Sequence, residues 1–141
     1  MEFDLEIIER LFSEIERKRQ ILEHYRRMSE DEFNDDPGRI MAVEHGFQTM
    51  IQSMIDIGLH ILTRLGRNGI ESYTEVFDVL EEEIIIDPAF ASRIKGMAGF
   101  RNILVHEYTK VDETIVKGFL QERLGDFREF ERQVREYLER D

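Results

Sequence analysis

PGRIMAVEHGFQTMIQSMIDIGLHILTRLG, residues 37–66, carries the clearest periodicity in the chain. Ile40, Val43, Phe47, Met50, Met54, Ile57, Ile61 and Leu65 recur at steps of three and four, the spacing that returns to one side of an α-helix. Asp36 before Pro37 is a start signal: a carboxylate that accepts from first-turn N–H groups, then a ring that needs no N–H there. Gly66 is a stop, because glycine enters the left-handed conformation that ends helices at little cost. A stripe this long and unbroken predicts a helix lying against other helices.

The flanking segments repeat the pattern. Residues 3–28 predict a first helix with Ile8, Leu11, Ile15, Leu22 and Tyr25 on one face, and SEDEFNDDPG (29–38), dense in acids and turn formers, reads as a loop. After the short connection GRNGIE, Ser72 and Glu75 have capping-box spacing for a third helix running to Glu83. Asp87-Pro88 repeats the cap-then-proline signal for a fourth helix. Asp112 opens a fifth, striped by Val116, Leu120, Leu124, Phe127, Val134 and Leu138. No alternating run argues for a strand. The expectation is all-α, a five-helix up-and-down bundle in one domain over residues 1–141.

Met41, Ile51, Ile55 and Leu62 widen the apolar stripe of the second helix. That surplus predicts a homodimer, the commonest way to cover such a face, although a larger intramolecular core would cover it too.

Composition narrows the function. The chain has no cysteine, which excludes disulfides, thiolate metal sites and cysteine nucleophiles and suits a reducing compartment. MEFDLEIIER lacks the basic start and apolar run of a signal peptide, and no apolar stretch approaches the ~20 residues of a membrane span. A soluble, cytoplasmic protein is expected. The net charge of −12 opposes binding to nucleic acid, but it is uneven. Between Pro88 and Val111, Arg93, Lys95, Arg101 and Lys110 face only Glu107, so one segment can attract a phosphate that the remainder repels. Ordinary scatter of charge along solvated helices explains the same count.

Glycine-rich phosphate loops, zinc-protease motifs and Gly-x-Ser-x-Gly are absent, as is the Glu-x-x-His of di-metal bundles. Asp56 and His60, four apart, share a helix face. Two ligands make no metal site, and a histidine bonded to the carboxylate one turn earlier accounts for them. His24 and His45 have no partner at telling spacing, and no cofactor is expected.

AGFRNILVHEY (98–108) is different. Arg101 and Asn102 interrupt an apolar run that His106 and Tyr108 close. On a regular helix Arg101 and Tyr108 fall on one stripe, with Asn102 and His106 on the next. Arginine is a permanent, bidentate phosphate ligand, and histidine is the side chain that moves protons near neutrality. A helix end whose Arg101 and His106 pair with neighbouring acids would look the same.

RNILVHEY (101–108) resembles the Arg-x4–6-His signature of HEPN-domain ribonucleases, and its His-x-Tyr extension resembles the HepT toxins in particular. AVEHGFQTMIQSMIDIGLHIL (42–62), SYTEVFDVLEEEIIID (72–87) and MAGFRNILVHEYTKVD (97–112) are similar to successive helices of that family in order and spacing. The resemblance implies a toxin that cuts RNA without a metal, at a cleft shared by two subunits. Arg101 and His106 would be catalytic, with Asn102 positioning the substrate. It also implies a MntA-like nucleotidyltransferase antitoxin that silences the toxin by transferring AMP to Tyr108. The alternative is a non-catalytic nucleotide- or RNA-binding module that partners such a nucleotidyltransferase.

Overall fold

The computed structural model describes residues 3–106 and 112–140. Among these there are seven helices and no strand: α1 Leu5–Arg26, α2 Glu30–Asn34, α3 Pro37–Arg64, α4 Tyr73–Glu82, α5 Pro88–Val105, α6 Glu113–Glu122 and α7 Leu124–Glu139. None of the described helices is long and apolar enough to cross a membrane.

The caps form where the local chemistry asks for them. Asp36 Oδ1 accepts from Gly38 N–H at 2.8 Å, and Asp87 Oδ1 from Phe90 N–H at 2.7 Å. Asp112 Oδ1 accepts from Thr114 N–H at 2.8 Å. Ser72 Oγ accepts from Glu75 N–H, but the return bond from Glu75 goes to Glu71 N–H, so the expected reciprocal box is half made. Gly66 takes φ +81° just past α3.

Two expectations are corrected. Residues 29–38 do not form a loop throughout: Ser29 and Glu32 make a complete capping box, and the single turn of α2 buries Phe33 edge-on against Tyr25. The expected fifth helix is two helices, α6 and α7, broken at Arg123. Its stripe survives the break, since Val116, Leu120, Leu124, Phe127 and Val134 are all buried. Ion pairs fasten the break. Asp126, 3 % exposed in the first turn of α7, sits 2.7 Å from Arg93 Nε and 2.8 Å from Arg123 Nε. Arg123 also donates to the carbonyl of Arg93. The junction is therefore fastened to the middle of α5.

α3 is the axis of the core. Val43, Phe47, Met50, Ile51, Met54, Ile55, Ile57, Ile61 and Leu62 are fully buried, packed by α1, α2, α4, α5 and α6. Ile51, Ile55 and Leu62 are thus covered within the chain, which removes the surplus that pointed to a dimer; Met41 alone of that set is exposed, at 67 %. Phe47, Phe100 and Phe119 join α3, α5 and α6, with the last two stacked at 4.0 Å.

Two glycines let neighbours approach α3 closely. A methyl group at Gly46 would meet Leu22 of α1 at 3.0 Å, and one at Gly58 would meet Val76 Cγ1 at 2.9 Å and Leu80 Cδ1 at 3.1 Å, both on α4. Val76 and Leu80 are fully buried and have nowhere to retreat. Gly58→Ala is expected to destabilise the fold by about 1–3 kcal/mol despite alanine's better helix propensity. Gly96→Ala, on the open face of α5 where an added methyl meets nothing within 4 Å, is expected to stabilise by about 0.5–1 kcal/mol. Urea unfolding of the two variants measures both, and a stabilised Gly58→Ala would show that α4 is not held at this notch.

Candidate active site

α5 places the expected residues at its C-terminal end. Arg101 is half-buried and Asn102 exposed in the last turns, and the helix stops at Val105. His106 is the C-cap, exposed, with extended backbone (φ −85°, ψ 98°), and its N–H donates to Ile103 carbonyl. The helix thus ends before the stripes drawn for His106 and Tyr108 are complete. Tyr108 lies outside the described residues, as does Lys110.

The local positive surplus is reduced by the fold. Arg93 is bound to Asp126. Lys95 Nζ lies 3.0 Å from Asp78 and 3.2 Å from Glu81, and these hydrogen bonds hold its ammonium above the usual lysine range. Arg101 differs from both. Its guanidinium lies over the ring of Tyr73, 4.9 Å from the centroid, and Nη1 donates to Asn102 Oδ1 at 3.4 Å. Its Nε is buried, and no acceptor lies within hydrogen-bond reach of it among the described residues. No described carboxylate pairs with Arg101. An unsatisfied buried donor costs about 1–3 kcal/mol, so the arrangement is not one that stability alone favours.

Tyr73 was not singled out in the sequence, where it reads only as the first residue of a helix. The packing of α4 on α5 makes it part of the site. Tyr73 and Asn102 line a cleft of about 430 Å³ with Leu59, Ile70, Glu71, Ser72 and Val76.

The second candidate cluster comes apart. His60 Nε2 accepts from Asp4 N–H at 3.2 Å, which ties the start of α1 to α3, while Asp56 Oδ1 accepts from Gln52 at 2.9 Å. The expected bond between Asp56 and His60 is replaced by these two. Among the described residues no three His, Asp or Glu side chains gather as metal ligands. His24 and His45 are exposed.

A family model, ribonuclease HepT-like, matches residues 7–134. The chain belongs to the HepT-like ribonuclease family, as the motif resemblance implied. It is 33% identical over 134 residues to a tRNA nuclease HepT of Aphanizomenon flos-aquae, covering 94% of this chain and 90% of that one. It is 34% identical over 84 residues to an mRNA nuclease HepT of Shewanella oneidensis, covering 59% of this chain and 62% of that one. Among solved structures, a toxin–antitoxin with AMP-PNP superposes with a TM-score of 0.84 at 25% identity, over 92% of this chain and 98% of that one. A tri-AMPylated HEPN toxin of Shewanella oneidensis in complex with an MNT antitoxin gives 0.83 at 26%, over 92% and 96%.

If Arg101 is kept for chemistry rather than for the fold, an apolar replacement of similar length should cost nothing. Arg101→Met removes a ring contact worth roughly 0.5–1 kcal/mol but also the unsatisfied Nε. Its thermal midpoint is expected to equal or exceed that of the parent. A loss of several degrees in a melting scan followed by circular dichroism would make Arg101 a structural residue.

Proposed function

We propose that this protein is the toxin of a toxin–antitoxin pair, a metal-independent endoribonuclease whose shared cleft joins the α5 ends of two subunits and is silenced by AMP on Tyr108. The observation that carries the reading is Arg101: a guanidinium held by a ring, with a buried donor that no described side chain satisfies, five residues before a histidine that caps the same helix. The relatives named tRNA and mRNA nucleases and the toxin complexes of like fold support it.

In RNA the ribose 2′-hydroxyl attacks the adjacent phosphorus and the P–O5′ bond breaks, leaving a 2′,3′-cyclic phosphate and a 5′-hydroxyl. His106 of one subunit takes the 2′ proton, and His106 of the partner subunit gives a proton to the departing O5′. Arg101 binds the phosphoryl oxygens, whose charge grows in the transition state. Asn102, already bonded to Arg101, fixes the guanidinium's free edge. Ile103, 44 % exposed beside these residues, supports a second subunit covering this end of α5.

Arg101→Ala and His106→Ala are each expected to reduce cleavage by a factor of at least about 10² while the protein stays folded and dimeric. Cleavage is expected to survive EDTA and to leave cyclic phosphate ends, read by mass spectrometry of the products, with the dimer followed by light scattering. Abolition by EDTA would overturn the metal-free route, a monomer the shared cleft, and two fully active variants the ribonuclease itself.

Tyr108 carries the regulatory part. Transfer of AMP would tether a phosphodiester two residues past His106 in sequence, to compete with the RNA backbone for Arg101. With a MntA-like nucleotidyltransferase and ATP, the wild type is expected to gain adenylate mass and lose cleavage, and Tyr108→Phe to do neither. Equal adenylation of both proteins would remove Tyr108 from this role.

A further inference from the structure

Arg101 is not held by a carboxylate but by an aromatic face, and that face belongs to a cleft. Tyr73 opens α4, and its ring lies under the guanidinium at 4.9 Å. The cleft that Tyr73 lines is also walled by Leu59, Ile70 and Val76, with Glu71, Ser72 and Asn102 supplying polar groups. Ser72 and Asn102 keep hydrogen-bond donors. Ser72 Oγ accepts from Glu75 N–H and so retains its own proton to donate. Asn102 accepts from Arg101 through Oδ1 and so retains its amide donors. A volume of about 430 Å³ falls at the lower end of the ~300–1,000 Å³ of small-molecule pockets. Apolar walls, one aromatic ring, two donors, the Glu71 carboxylate as an acceptor for base N–H groups and an adjacent arginine suit a planar heterocycle joined to a phosphate. A bare phosphate would have no use for the apolar walls, and an extended peptide would need a longer groove.

We propose that this cleft is the base subsite of the ribonuclease, taking the nucleobase next to the phosphate that Arg101 binds, and that Tyr73 is the positioning residue for Arg101. The inference rests on the ribonuclease reading above and adds to it the part of the substrate recognised outside the Arg101–His106 pair. Tyr73 acts in two ways: its ring fixes the guanidinium through a cation–π contact, and it forms one wall for the base. Both effects depend on the ring and not on the hydroxyl.

Two experiments separate this proposal from the reading on which it rests. In the first, cleavage of short oligoribonucleotides is measured for Tyr73→Leu, Tyr73→Phe and Ile70→Trp. Tyr73→Leu is expected to lose on the order of ten- to a hundredfold in kcat/KM, and Tyr73→Phe, which keeps the ring, to recover it. Ile70→Trp fills the cleft from a wall that does not include Arg101, so its KM is expected to rise while kcat holds; it also covers the case in which Tyr73→Leu does not fold. The second experiment needs no cleavage. Uridine and adenosine monophosphates and ribose 5-phosphate are titrated into the wild-type protein, with the amides of residues 70–76 and 102 followed by NMR. The nucleotides are expected to shift these amides and ribose 5-phosphate to leave residues 70–76 unmoved. Equal shifts from the sugar phosphate, or an unchanged KM for Ile70→Trp, would overturn the base subsite even in an active ribonuclease. Base-dependent shifts in a protein that cleaves nothing would keep the subsite and sink the catalytic reading.

Discussion

The close approach of α1 and α4 to the two notches on α3 is the constraint from which the rest of the molecule follows. A methyl group at Gly46 would crowd Leu22 and one at Gly58 would crowd Val76 and Leu80, so side chains of α1 and α4 fill the space that a side chain on α3 would need. With α4 drawn in at Gly58, its first residue, Tyr73, comes to lie beneath Arg101 of α5. Leu59, the next residue on α3, becomes a wall of the same cleft. The position of the site thus depends on an absent side chain one residue away.

Much of the architecture was legible because it is written locally. The aspartates at 36, 87 and 112 cap helices through bonds to residues two or three further on, and the stripes on α3 and α7 need only periodicity. α2 was hidden because Ser29 and Glu32, a capping box, stand in a run of acids and turn formers whose average reads as a loop. The break at Arg123 left no mark on the stripe, since both halves bury the same periodic positions. It coincides with Asp126 meeting Arg93 from another helix, a contact that periodicity does not register.

The candidate site divides in the same way. Arg101, Asn102 and His106 stood out because polar residues interrupted an apolar run. The charge count around them misled, because the carboxylates that neutralise Arg93 and Lys95 come from α7 and α4. Asp56 and His60 had the spacing of a pair, yet Asp56 bonds to Gln52 and His60 to the N–H of Asp4. Tyr73 had no signal at all: its role comes from the neighbour it meets, and one sequence does not reveal that neighbour.

The partial burial of Arg101, in the phosphate-binding role proposed for it, also sets a response to ionic strength. A chain of net charge −12 repels any polyanion at a distance, and that repulsion fades as the Debye length shrinks to ~8 Å at physiological salt. A guanidinium shielded on one edge and seated on a ring is screened far less than a surface lysine would be. Salt therefore weakens the repulsion more than it weakens the attraction. Proteins that hold nucleic acid by a coat of exposed cations release counterions and bind less tightly as salt rises, steeply so when many phosphates are contacted. If Arg101 binds phosphate as proposed, a half-buried cation on a chain of net charge −12 has few counterions to release, which gives binding a shallow or inverted salt slope.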